Sequence, residues 1–208
     1  MSSRAIVATV ALALLAAGCS TSEIGQPTPE SGSTTSGASS PPSSGSSGSA
    51  DPSVEVPAPP RQISLEGLDP CTLYTDAQRT QLKVDDVRSG ETESDTFEGM
   101  KECVLSNEDQ EPFYDYSALA VTFEGVEEWL SGNRNVDAEL TSVQGFPAVQ
   151  FKFRGVDDEG CDIAVGVSDK QYLWVDVVPL ERVFKQDELC QMVRDATEMA
   201  MTTLQTLK

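Results

Sequence analysis

Between residues 20 and 60 the chain holds 13 Ser, 8 Pro, 5 Gly and 4 Thr, 30 of 41 positions. A segment of this kind has too little apolar surface to offset the entropy of ordering it. It predicts a tether, with an r.m.s. span of roughly 35–40 Å if it behaves as a flexible coil. Folding is thereby confined to residues 61–208, and these 148 residues are enough for one hydrophobic core. No internal repeat and no second linker divides them.

The residues ahead of the tether read MSSRAIVATVALALLAAGCS. Arg4 is the sole charge, and the apolar run from Ile6 to Ala17 is too short for a membrane-spanning helix, which needs about 20 residues. A charged start, a short apolar stretch and small residues before a cut are the layout of a secretory signal. The sequence Leu15-Ala16-Ala17-Gly18-Cys19 resembles a bacterial lipobox. That resemblance implies removal of residues 1–18, lipidation of Cys19, and residues 19–60 acting as anchor and tether. The protein is then expected at the extracytoplasmic face of the cell membrane, held there by lipid. The mix of Ser, Thr and Pro in the tether also resembles O-glycosylated stalks.

Charge excludes other destinations. Residues 61–208 carry 30 acidic and 13 basic side chains, most of the formal charge of −20. Such a domain has no basic face to neutralise phosphates, so no nucleic acid is expected as a partner. The chain has no His. That excludes Ser-His-Asp and Cys-His catalysis and any His-ligated zinc site.

The pattern of residues 61–208 predicts an α+β domain. Pro70 suits a first helical turn with Asp69 as N-cap, and Thr75 or Asp76 can cap a second helical stretch through Leu82. The acidic run Asp85–Glu111 predicts an exposed loop with a short strand at Glu102–Ser106. Further strands are predicted at Tyr116–Phe123, Ala138–Val143, Ala148–Phe153, Cys161–Val167 and Gln171–Val178. On the last, Tyr172, Trp174, Asp176 and Val178 share one face, and Leu173, Val175 and Val177 share the other. Gln144-Gly145-Phe146-Pro147 and Asp157-Asp158-Glu159-Gly160 read as turns, and Val126–Leu130 as a helical turn. Asp187 is predicted to cap a final helix to about Leu207. Its stripe includes Leu189, Met192, Val193, Ala196, Met199, Ala200, Leu204 and Leu207 at 3.6-residue spacing. The sum is an antiparallel sheet of about five strands with N-terminal and C-terminal helices packed on it.

Setting Cys19 aside as the lipid site leaves Cys71, Cys103, Cys161 and Cys190, an even number. Outside the cytoplasm disulfides are the expected state, and no close CxxC-like pair argues for metal. Three pairings exist. Cys71–Cys103 and Cys161–Cys190 are preferred because each closes a loop of about 30 residues, worth roughly 3–4 kcal/mol in the chain-entropy picture.

The ordered set Leu68-Asp69-Pro70-Cys71, Cys103, Val143-Gln144-Gly145-Phe146-Pro147-Ala148, Cys161-Asp162-Ile163-Ala164-Val165 and Glu188-Leu189-Cys190 resembles the actinobacterial secreted lipoprotein family called domain of unknown function 3558. The resemblance spans roughly residues 65–207. It implies a secreted α+β domain and supplies no activity, catalytic residue or cofactor.

Several groups are candidate sites. The acidic run Asp85–Glu111, with Glu91, Glu93 and Asp95 alternating, lacks the Asp-x-Asp-x-Asp-Gly order of a calcium loop and reads as solvated. Asp157, Asp158, Glu159 and Asp162 form a tighter carboxylate group that reads as a polar turn. No metal and no cofactor is expected. Phe113, Tyr114, Tyr116, Trp129, Tyr172 and Trp174 would stack on a sugar or hold a lipid if they gathered in one groove. The expectation is a non-enzymatic binding module for an envelope protein or a small ligand. A carboxylate-based envelope hydrolase and a small solute-binding accessory protein are the alternatives.

Overall fold

In the computed structural model, residues 54–92, 94–155 and 160–208 are described. Cys19, most of the tether, Glu93 and the turn residues Asp157, Asp158 and Glu159 lie outside them. Seven strands form one antiparallel sheet: β1 (Asp86–Glu91), β2 (Lys101–Asn107), β3 (Tyr114–Val121), β4 (Val136–Val143), β5 (Phe146–Phe153), β6 (Cys161–Ser168) and β7 (Gln171–Pro179). Their order across the sheet is β1-β2-β3-β7-β6-β5-β4. The last strand in sequence thus lies at the centre and joins two hairpin-built halves.

Seven strands replace the expected five or so. The unexpected one is β1, which falls in the acidic run read as loop. Its sequence, DVRSGE, has no apolar alternation: Arg88 to Glu91 are exposed, and the strand is paired on one side only, to β2. An edge strand rich in charge also resists pairing with other chains.

The N-terminal helical segment differs from expectation too. It is a four-residue 3-10 turn, Pro70–Leu73, followed by α1 (Asp76–Gln81), a six-residue helix with no buried residue. The Asp69 carboxylate accepts from Cys71 N at 3.0 Å, and Thr75 and Gln78 form a reciprocal cap on α1. The 3-10 turn, rather than the helix, brings Cys71 and Leu73 into the core. The turn between β4 and β5 is shorter than read. Gln144 and Gly145 both have positive φ, 50° and 84°. That is the conformation of a two-residue hairpin turn, and it leaves Phe146 and Pro147 in β5.

Helix α2 (Gln186–Leu207) packs across β6 and β7 through Leu189, Val193, Ala196, Ala200, Met201 and Leu204. Its N-cap is Lys185 rather than Asp187. Glu188 folds back to accept from Lys185 N at 2.9 Å. Leu207, at the end of the predicted stripe, is exposed. Disulfides join Cys71 to Cys103 and Cys161 to Cys190, the pairs preferred from spacing. The first ties the 3-10 turn to β2; the second ties the start of β6 to α2.

Candidate functional site

The sheet has two unlike faces. The face under α2 is apolar at its centre, where Ile163, Val165, Leu173, Val175 and Val177 join the helix in the larger core. Strand alternation sends Tyr172, Trp174 and Asp176 to the other face, as the sequence predicts.

Among the described residues, the helix-free face is covered over only part of its area. A 3-10 turn, Val126–Leu130, lays Trp129 on Phe151 with ring centroids 3.7 Å apart. Arg134 stacks on the Trp129 ring at 3.9 Å. It also pairs with Glu124, which accepts from the Tyr172 hydroxyl as well. Phe97, from the loop between β1 and β2, closes against Trp174 at 5.2 Å. This is the second core.

Beyond Trp174 the described residues leave a cavity of about 730 Å³. Its floor is a single cross-strand row: Val104 on β2, Ser117 on β3, Asp176 on β7 and Asp162 on β6. Phe97, Phe153 and Trp174 form apolar walls, with Glu102, Asp115 and the Asp137–Arg154 ion pair around the rim. Two smaller cavities, of about 270 and 320 Å³, hold no buried carboxylate.

Asp162 and Asp176 are directly opposed in register. Side chains so placed have Cβ atoms about 5 Å apart, and like charges there repel. Asp162 is only 6% exposed. Burial pushes its carboxyl up to about 7, against the lowering effect of Trp174 Nε1, which donates to Asp162 Oδ1 at 2.9 Å. Asp176 is also driven well above the usual carboxylate range, first by burial, then by Asp162 and Glu102. Ser117 lies beside it and favours its ion, yet the single Ser117 hydroxyl proton is donated to Glu102 at 2.6 Å. Asp115 Oδ1, buried at the same cavity, has no hydrogen-bond partner. The site therefore holds an excess of carboxylate that the described protein groups do not balance. Among the described residues no group of three or more Cys, Asp or Glu side chains is placed to hold a metal ion.

The structure redistributes the residues singled out from the sequence. Asp162 belongs to β6 and to this floor, not to a polar turn. The aromatic residues divide. Tyr114 and Tyr116 enter the core under α2, while Trp129, Tyr172 and Trp174 gather on the opposite face. Asp176 carries a sequence signal that singles it out in retrospect: a lone acid among the apolar and aromatic residues of Tyr172–Val178.

No helix among the described residues is long and apolar enough to cross a membrane. No curated protein and no solved structure matches the chain. Residues 14–203 match the family described as protein of unknown function (DUF3558), and the chain belongs to that family.

Proposed function

We propose that the protein is an actinobacterial extracytoplasmic lipoprotein, anchored through Cys19, that binds a small ligand in the cavity on the helix-free face of its sheet. The observation that carries the binding reading is the cavity of about 730 Å³ floored by Asp162 and Asp176 and walled by Trp174. Its volume lies in the range of small-molecule sites, and its make-up is theirs: apolar walls with a few converging polar groups. The anchor rests on the lipobox resemblance at Leu15–Cys19 and on the Ser/Pro/Gly-rich segment behind it. A binding role needs no catalytic group, which accords with a chain lacking His.

Chemical-shift mapping of the full chain against a mixed set of small neutral, cationic and anionic fragments tests this reading. Shifts clustered at Val104, Ser117, Asp162 and Trp174 are expected. Shifts confined to other surfaces, or none, would sink it.

One observation favours a second reading. Two neighbouring carboxyl groups whose proton affinities are both raised can supply one protonated acid and one ionised base, the pair that general acid–base hydrolysis uses. A carboxylate-based envelope hydrolase would turn over purified peptidoglycan and lose that turnover in Asp162→Asn. Absence of turnover by the unaltered chain removes this reading and leaves the binding one.

A further inference from the structure

We propose that the cavity takes an organic cation, an ammonium or guanidinium group on an apolar body, with its charged head between Asp162 and Asp176 and its body against Trp174 and Phe153. This rests on the reading of the cavity as a ligand site and goes beyond it by naming the ligand's charge and shape.

Four observations converge. First, the acid pair lies on the floor of the cavity, in register on neighbouring strands. Strands stand about 4.8 Å apart, so a head group resting between the two residues can reach both carboxyls. Second, the charge around the pair is one-sided. Glu102 on β2, Asp115 on β3 and Asp137 on β4 line the cavity with the pair, against Lys152 and Arg154 at the end of β5. Arg154 is committed to Asp137 at 2.7 Å. An anion would be repelled, and a neutral ligand would offer the pair no positive charge in place of its proton. Third, Trp174 is oriented by its own bond to Asp162, so one ring and one carboxylate are presented as a unit. Indole faces attract cations. Fourth, no metal-holding group of three or more Cys, Asp or Glu side chains forms among the described residues. That favours an extended organic cation over a bare metal ion.

Binding of such a cation has a proton consequence. A pair that retains a proton near neutrality must release it to meet the ligand as two carboxylates. The ligand's positive charge replaces the proton's, and the proton goes to solvent. Affinity should therefore rise with pH through about 7.

The test uses three probes of one shape on the full chain: 2-phenylethylammonium, 2-phenylethanol and 3-phenylpropanoate. The readout is the Trp174 indole N–H resonance, assigned by its loss in Trp174→Phe. The ammonium is expected to shift it saturably, with the alcohol at least about tenfold weaker and the carboxylate inert. The ammonium's affinity should rise several-fold from pH 6 to pH 8. The double variant Asp162→Asn, Asp176→Asn should keep its fold, checked by its amide spectrum, and lose the preference for ammonium over alcohol. Equal binding of alcohol and ammonium overturns the cation proposal while leaving the cavity as a ligand site. Failure of all three probes at millimolar concentration also overturns it, and the fragment map then decides separately whether the cavity binds anything.

Discussion

Asp162 on β6 and Asp176 on β7 stand directly opposite each other near the middle of the sheet, on the face that α2 leaves open. A natural sheet rarely places like charges in register, because the pair destabilises the ladder it belongs to. The residue types on either side make the contrast plain. One step along β7 from Asp176 are Val175 and Val177, both fully buried in the core under α2. The acid pair is thus a local cost carried by an otherwise apolar central strand.

That cost has a sign in pH. The folded-state proton affinity of Asp162 is raised to about 7 from an ordinary 3.8. The folded protein then binds more protons than the unfolded chain between these values. The group's contribution is fully present below pH 4 and is lost as pH rises to about 7. Stability should fall across that window by up to about 4 kcal/mol from this group, at roughly 1.4 kcal/mol per unit. Asp162→Asn keeps an oxygen to accept from Trp174 Nε1 and removes the charge. It should raise the thermal midpoint at pH 8 and flatten the decline, leaving the slope that Asp176 contributes. Thermal unfolding from pH 4 to pH 8 measures both. A variant less stable than the parent at pH 8 would show that another group balances the Asp162 charge in the folded protein.

Trp129 is the closure of the second core. It is 2% exposed, stacks on Phe151, and carries Arg134 on its other face. Removing a buried Trp to Ala costs about 3–5 kcal/mol, part of it from the void left behind. Trp129→Ala should lower the urea midpoint accordingly and leave Arg134 and Glu124 without their apolar cover. Because Trp129 does not line the acid cavity, any ligand bound there should lose affinity less than in Trp174→Ala. An equal loss in both would mean that the aromatic cluster, rather than Trp174 alone, shapes the site.

The two bridges act on separate parts of the domain. Cys161–Cys190 closes a span of 29 residues holding β6, β7 and the start of α2. Cross-linking such a span lowers the entropy of the unfolded chain by roughly 3–4 kcal/mol equivalent. Replacing both cysteines with Ala should lower the unfolding free energy by about that amount, and the denaturant midpoint with it, without changing which face α2 covers, since Leu189, Val193 and Ala196 still need burial. An unchanged midpoint in denaturant would mean that the bridge contributes nothing to the balance.

What the sequence disclosed follows the range of the physics involved. The length of α2 and most of its apolar stripe were legible because a 3.6-residue repeat is written locally, as were the alternating faces of β7. The disulfide pairing was legible because only three pairings exist. β1 is hidden because its last four residues are exposed and the half-buried Asp86 and Val87 make no alternation. Asp162 opens a predicted strand, yet its nearness to Asp157-Asp158-Glu159 groups it with a polar turn. Only the register of β6 against β7 shows that it meets Asp176, and register is a long-range property. Phe97 was passed over for the same reason: nothing near Ser94–Met100 says that the loop folds back onto Trp129 and Trp174.

The proposed membrane anchor rests on one atom, the Cys19 sulfur. A lipoprotein's attachment comes from acyl chains on that sulfur, each buried methylene adding about 0.8 kcal/mol. Ser at the same position preserves size but offers no thiol to acylate. Cys19→Ser should therefore move the protein from the membrane fraction to the soluble fraction of cells, with the four remaining cysteines still paired. The unaltered protein should partition into detergent and gain the mass of its lipid at a new N-terminal residue 19. Intact-mass measurement of both forms checks the chemistry, and fractionation checks the consequence. Retention of Cys19→Ser with the membrane, after a salt wash that removes charge-held proteins, would refute the anchor. The folded domain would then have to be held by a partner instead.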